Sequence, residues 1–166
     1  ITKFSQLSIF STLNNITNIT MLPQYSAICG ITVDEALDVF KPDIQVLAER
    51  YKCSYNEMVD KLKAKYDGYN FSMDSPDVFN PFSLTMALKN KMVDSYWFGS
   101  GTPTYLFEQM KRFGTNILSL EKNMASASDF DAPTENMTTA LPLLYQSGYL
   151  TIKDYDFDTN QYLLDF

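Results

Sequence analysis

The sequence predicts a mainly α-helical fold with a small β component, in which a helical bundle precedes a winged-helix-like helix and β-hairpin. Two observations carry this prediction. Helix-capping residues recur ahead of stretches whose apolar residues follow a helical period. Near the end of the chain, a glycine and two strand-like stretches joined by a turn replace that pattern. The hydrophobic fraction of 45% supplies enough apolar side chains for a packed core.

The first 20 residues predict the end of a strand followed by a short helix. Apolar residues at Phe4, Leu7, Phe10 and Leu13 have helical spacing, and the Asn pair after them ends the pattern. A loop then leads to Pro23. Because the chain opens on this apolar stretch without an initiator Met, we expect a longer polypeptide to precede it.

Five further helices are predicted from their N-terminal signals. A Ser, Thr or Asn cap with Glu three residues later satisfies free amides at the first turn, and Pro is tolerated there. Gly68 and Gly114 stand where a helix C-terminus favours a left-handed residue. The predicted starts are Thr32 with Glu35, Pro42, Ser54 with Glu57, Asn80 with Pro81, and Thr102 with Pro103.

The last third of the chain predicts a short helix near 140–147, stopped by Gly148. The stretch "YLTIKDYD" then predicts a strand, residues 157–160 a turn, and "QYLLDF" a second strand. A helix, a glycine and a hairpin in this order resemble the recognition helix and wing of a winged-helix unit. The final strand is still apolar where the chain stops, which suggests that this end also continues.

A change of composition predicts the internal boundary. Small and polar residues replace the apolar period in "EKNMASASDFDAPTEN". We therefore expect three parts: the end of a strand and its helix at 1–20, a helical subdomain at 21–122, which the family resemblance described below implies is lid-like, and the helix and hairpin at 123–166.

Composition excludes several classes of function. The chain contains no histidine, so it cannot form a Ser–His or Cys–His couple or a His-ligated metal site. A net charge of −7 argues against a general affinity for nucleic acid. Cys29 and Cys53 lack CxxC spacing and are expected to be a reduced, buried pair, which favours a cytoplasmic location.

The remaining motifs favour structural roles. "DYDFDTN" at 154–160 imitates a calcium loop, but Thr159 occupies the glycine position and Asp165 the final glutamate position, so no metal site is expected. "GSGTPT" lacks the lysine of a phosphate loop and is typical of a capping turn. The aromatic groups are typical of core or of an interface. The interface candidates are Tyr96, Trp97, Phe98 and the neighbouring Thr102.

Five separated blocks, taken in order, resemble one family. The blocks are "ITKFSQLSIFSTLNNITNIT", "YDGYNFS", "VFNPFSL", "YWFGSGTPTYL" and "LLYQSGYLTIKDYD". Together they are similar to the bacterial AAA-ATPase-like proteins, in which a P-loop ATPase-like domain is commonly followed by a PD-(D/E)XK nuclease-like domain. The resemblance implies that this chain corresponds to the part after the sensor strand, without the phosphate loop, the magnesium-binding acid or the nuclease-like domain.

The resemblance implies a function that depends on a parent protein. The parent protein is expected to bind ATP and Mg²⁺. This chain is expected to bind no cofactor and to contain no catalytic residue. The candidates for sensing nucleotide are Thr2, Lys3 and Ser5. The expected role is to transmit nucleotide state and to mediate contacts. Expected partners are the ATPase core, the downstream domain, and another protein or a second copy, but not a membrane. The alternatives are a winged-helix DNA-binding module, which would need basic residues on the helix near 140–147, and a plain protein-interaction domain.

Overall fold

A computed structural model describes Ile19 and residues 21–96, 103–114, 123–131 and 138–165. The packing separates into two units. Unit 1 takes the described residues up to Ser26, residues 70–74 and the residues from 103 onward, and unit 2 takes residues 27–69 and 75–96. Each unit is therefore made of stretches that are separated in the sequence. The three-part domain division stays a prediction.

The fold is mainly α with a small β component, as predicted. Two antiparallel sheets accompany the helices, one formed by β1 and β2 and the other in the order β3-β5-β4. In unit 2 the elements are β1 (Ile31–Thr32), α1 (Val33–Val39), α2 (Lys41–Tyr51), α3 (Tyr55–Tyr66), β2 (Val78–Phe79) and α4 (Pro81–Asn90). In unit 1 they are a 3-10 turn (Pro23–Tyr25), α5 (Pro103–Arg112), β3 (Asn123–Ala125), α6 (Ala127–Asp131), α7 (Leu141–Gln146), β4 (Thr151–Asp156) and β5 (Gln161–Asp165).

The predicted caps form in unit 2. Thr32 Oγ1 accepts a hydrogen bond from the Glu35 amide at 3.3 Å, and the Glu35 carboxylate accepts one from the Thr32 amide at 2.9 Å. Ser54 and Glu57 repeat this capping box at the start of α3. These bonds to the caps lower the pKa of both glutamates.

Other helix ends also follow the sequence signals. The Asn80 side chain accepts from the Ser83 amide at 2.9 Å and precedes Pro81 in the first turn of α4. Gly114, beyond α5, has a φ of +62°. Lys52 and Lys91, however, adopt left-handed conformations after α2 and α4, although glycine is the residue favoured there.

The core of unit 2 lies between α2, α3 and α4. The side chains it buries alternate with exposed charges at helical spacing, so each helix presents one apolar side to the others. The buried members are Ala36, Ile44, Leu47, Ala48, Met58, Leu62, Tyr66, Phe79, Leu84, Ala87 and Leu88.

The β1–β2 pair in unit 2 requires close packing at Gly30. Ile31 pairs with Phe79 and Thr32 with Val78. A Cβ atom on Gly30 would lie 2.9 Å from Val78 Cγ1 and closer still to two other Val78 side-chain atoms. Glycine at position 30 therefore allows Val78 to pack directly against the backbone.

Unit 1 contains the predicted helix and hairpin. Gly148 has a φ of +79°, and its amide donates to the Tyr145 carbonyl at 2.9 Å, which closes the end of α7. Residues 157–160 form the turn between β4 and β5 as predicted, with Asn160 at a φ of +54°. A bulge at Lys153 shifts the register between Ile152 and Asp154.

The polar stretch predicted as the internal boundary contains two elements in unit 1. β3 pairs with β5, Asn123 opposite Leu164, and α6 follows it. The sequence analysis did not predict β3, because this strand depends on a distant partner. The start of α6 has a local signal that the sequence analysis missed: Ser126 and Asp129 form an S-x-x-D cap, in which the Asp129 carboxylate accepts from the Ser126 amide at 2.7 Å.

The expectation that both cysteines are buried was wrong. Cys29 is exposed, because it lies in the turn before β1, and Cys53 is half-buried.

Among the described residues, no helix combines the length and the apolar character that crossing a membrane requires.

Candidate functional site at segment 66–72

Segment 66–72, "YDGYNFS", follows the last turn of α3 and contributes to both units. Residues 66–69 belong to unit 2 and residues 70–72 to unit 1. Gly68 has a φ of +101°, so the predicted positive φ is found, although the value lies beyond the left-handed helical region. Asp67, at the C-cap, is extended. The glycine thus turns the chain out of the helix.

In unit 2, backbone hydrogen bonds join this segment to the "VFNPFSL" block. The Tyr66 carbonyl accepts from the Asn80 amide at 2.9 Å. The Tyr69 carbonyl accepts from the Val78 amide at 3.1 Å, and Tyr69 and Val78 form an isolated β-bridge. The end of α3 is thereby tied to β2 and to the cap of α4.

The Tyr66 hydroxyl fixes a second chain segment in unit 2. It donates to the Asp94 carbonyl at 2.7 Å and accepts from the Asp94 amide at 2.9 Å. The Tyr66 side chain is 7% exposed, and burial raises its pKa. The hydroxyl of this buried side chain therefore bonds both backbone groups of Asp94, an exposed residue, which specifies the position of the chain after α4.

Asp67 is the unusual acid of the segment. Its Oδ1 atom is buried and has no hydrogen-bond partner among the described residues. Burial raises the pKa of this carboxyl, the negative charge of Asp77 adds to that effect, and a hydrogen bond from Gly68 and the charge of Lys63 oppose it. Partial burial and an oxygen without a hydrogen bond destabilise the charged form of the Asp67 carboxyl group.

In unit 1, the second half of the segment joins α7 and β4. The Asn70 amide donates to Thr151 Oγ1 at 2.6 Å, and the Tyr145 hydroxyl donates to the Phe71 carbonyl at 3.3 Å. Ser72 Oγ donates to the Met21 carbonyl at 2.9 Å. Thr151 and Tyr145 lie in the "LLYQSGYLTIKDYD" block, so these bonds join two of the blocks that carry the family resemblance.

One predicted site residue lies in the described part of the chain. Tyr96 is half-buried against the core of unit 2, and its hydroxyl donates to the Met92 carbonyl at 2.9 Å. The other interface candidates, Trp97, Phe98 and Thr102, and the nucleotide-sensing candidates, Thr2, Lys3 and Ser5, lie outside the described residues. Sequence reasoning interpreted "YDGYNF" as core or interface material and did not predict its hydrogen bonds to the other blocks. Gly68, between the end of α3 and Tyr69, was the sequence signal that the chain leaves the helix here.

The acids imitating a calcium loop have a structural use in unit 1. The Asp156 carboxylate accepts from Thr159 Oγ1 at 2.8 Å and from the amides of Asp158 and Thr159, and these bonds lower its pKa. Asp156 therefore stabilises the hairpin turn. Within the described ranges, no group of three or more Cys, Asp or Glu side chains is arranged to hold a metal ion.

Comparisons with known proteins give one partial match. A curated protein of Azotobacter chroococcum mcd 1, whose name reads "Uncharacterized protein in vnfD 5′region", is 34% identical over 152 residues. The alignment covers 92% of this chain but 27% of that protein, so the chain spans about a quarter of the relative's length. No family model matches the sequence, and no solved structure matches it significantly.

Proposed function

We propose that this chain is the helical and hairpin portion of an AAA-ATPase-like protein. In this role it transmits the nucleotide state of an ATPase core and mediates contacts within or between molecules. The chain itself carries out no catalysis. ATP and Mg²⁺ are bound by the parent protein, and the partners are the ATPase core and a downstream nuclease-like domain, in the cytoplasm.

The observation that carries the proposal is the bonding of segment 66–72. In unit 2 it is bonded to "VFNPFSL" through Tyr66 and Tyr69, and in unit 1 it is bonded to "LLYQSGYLTIKDYD" through Asn70 and Phe71. Within unit 2 two of the five blocks that resemble the family are thus joined by hydrogen bonds, and within unit 1 two are joined in the same way. A relay requires specific bonds of this kind, because a rearrangement in one block then alters the bonds of its partner.

The partial match supports the same proposal. The chain aligns with 27% of its relative. The rest of such a protein has room for a P-loop core and a further domain. In that arrangement Thr2, Lys3 and Ser5 follow the sensor strand, where a hydroxyl and a positive charge serve to sense a terminal phosphate.

Burial of α7 favours this role over DNA binding. Pro142, Leu143, Leu144 and Tyr145 are all buried, and the helix contains no basic residue. A recognition helix instead exposes polar and basic side chains to base edges and phosphates. The described member of the aromatic interface candidates, Tyr96, is bonded within unit 2, which lends no support to the plain interaction alternative.

Calorimetric titration with ATP and Mg²⁺ tests the proposal. We expect no binding by the 166-residue chain and measurable binding by the longer protein that contains it. Tight binding by the chain, or none by the longer protein, would refute the proposal.

A matched pair of variants of the longer protein tests the relay. Thr151→Val removes the acceptor of the Asn70 amide, whereas Thr85→Val removes a hydroxyl that bonds only within α4. We expect the first change to alter the ATPase rate at unchanged nucleotide affinity, and the second to alter neither. Equal effects of the two changes would exclude a relay through segment 66–72.

A further inference from the structure

The β4–β5 hairpin of unit 1 has an apolar face that is covered at one end only. Ile152 and Leu164, at the covered end, are 2% and 0% exposed. Tyr155 and Tyr162, further along the same face, are half-buried. Phe157, at the tip, is 72% exposed. We call Tyr155, Phe157 and Tyr162 the aromatic face of the hairpin.

The rings of this face are held in place by one another. Tyr155 and Tyr162 are opposite in the strand register, with ring centroids 4.7 Å apart. Phe157 meets Tyr155 edge-on at 5.0 Å. Phe130 of α6 contacts Tyr162 at 5.8 Å and Tyr145 at 4.9 Å, which continues the row into the core. The exposed rings are therefore preorganised, so a partner binding there loses little additional entropy.

The charge of the hairpin selects the partner. Between residues 151 and 165 there are four aspartates and one lysine, a net charge of −3, in a chain whose total is −7. Asp158 follows the exposed Phe157 in the turn, whereas Asp154 alternates with Tyr155 and lies on the opposite face of β4. This charge repels nucleic acid and anionic lipid, and it also opposes pairing with the same hairpin of a second copy. A cationic protein segment is the remaining complementary partner.

We propose that the aromatic face of the hairpin binds an arginine-bearing, basic segment of another protein. A guanidinium group stacks on tyrosine and phenylalanine rings more readily than an ammonium group, and it pairs with carboxylates in a planar, bidentate way. The rings and Asp158, next to Phe157 in the turn, together match both properties. This inference does not depend on nucleotide binding by a parent protein.

The test is a titration of the 166-residue chain with a short peptide of alternating Arg and Ser at low salt, in which NMR chemical shifts of the chain are measured. We expect shifts centred on Tyr155, Phe157 and Tyr162. Phe157→Ser is expected to weaken binding about tenfold and Asp158→Asn about threefold. Replacing Arg by Lys in the peptide is expected to weaken binding, and replacing it by Glu to abolish it.

Matched variants separate this site from general attraction to an acidic protein. Phe107 is 53% exposed on α5, but Lys111 follows it one helical turn later, so Phe107→Ser is expected to leave the affinity unchanged. Asp34→Asn removes an exposed acid from α1 in unit 2 and is also expected to have no effect. Equal losses in these controls, shifts away from the aromatic face, or no binding of the Arg peptide would overturn the proposal. So would concentration-dependent dimerisation that Phe157→Ser abolishes, because it would place a second copy there.

Discussion

Replacing Gly30 by alanine tests the close packing between the backbone and β2. The added Cβ would lie 2.9 Å from Val78 Cγ1 and closer to the other two Val78 atoms. Carbon atoms make favourable contacts at about 3.5–4.0 Å, so the strands must separate by about 1 Å. Val78 has little freedom to move, because it is 2% exposed, pairs with Thr32 and donates its amide to Tyr69.

The expected loss of stability is about 3 kcal/mol, at the upper end of the range for overpacking. For a chain of this size, that corresponds to a fall of about 8 °C in Tm. Urea unfolding followed by circular dichroism measures it. The control is Gly114→Ala, at a position with φ of +62° and no atom within 4 Å of the added Cβ. The control carries only the backbone cost of a left-handed alanine, about 1 kcal/mol.

A double-mutant cycle isolates the steric cause. Val78→Gly is destabilising by itself because it empties a buried position, but it removes the three atoms nearest to a Cβ added at position 30. We therefore expect Gly30→Ala to cost less than about 1 kcal/mol in the Val78→Gly background. An unchanged cost there, or a Gly30→Ala variant no less stable than Gly114→Ala, would refute the packing argument.

Three further predictions concern the caps and segment 66–72. Asp67→Asn is expected to stabilise the chain at neutral pH by less than about 1 kcal/mol, because burial raises the pKa of this half-exposed carboxyl. The native state then binds the proton more tightly than the unfolded state does. The free energy of unfolding should therefore fall as the pH rises above 3.8 in the unsubstituted chain but not in Asp67→Asn, and parallel pH profiles for the two proteins would contradict this. Tyr66→Phe leaves the Asp94 amide without the hydroxyl, whereas the Asp94 carbonyl still accepts from the Tyr96 amide at 3.1 Å, so the change should cost about 1 kcal/mol in urea unfolding. Tyr25→Phe, at a residue 42% exposed, should be neutral, and equal costs would remove the proposed role of the hydroxyl. Ser54→Ala should cost about 1 kcal/mol and return the lowered pKa of Glu57 towards its usual value in an NMR titration, and an unshifted Glu57 would show that the capping box does not set it.

Helix starts were predictable because their signals are local. A capping box joins residues three positions apart, so Thr32 with Glu35 and Ser54 with Glu57 require no distant partner. The hairpin was predictable for the same reason, since its turn connects two alternating stretches that are neighbours in sequence. Ser126 with Asp129 follows the same rule and was missed because its helix has only five residues.

The sequence by itself determined the mainly helical class, the caps, the glycines with positive φ, and the helix–hairpin order near the end of the chain. Tertiary structure decided the short strands: β1 and β2 have two residues each, and β3 joins a strand that is distant in sequence. It also decided that segment 66–72 bonds to Asn80, Thr151 and Tyr145, and that the Asp67 carboxylate is partly buried. Such short strands and buried groups have no periodic pattern of their own, because their stability comes from residues that only folding brings together.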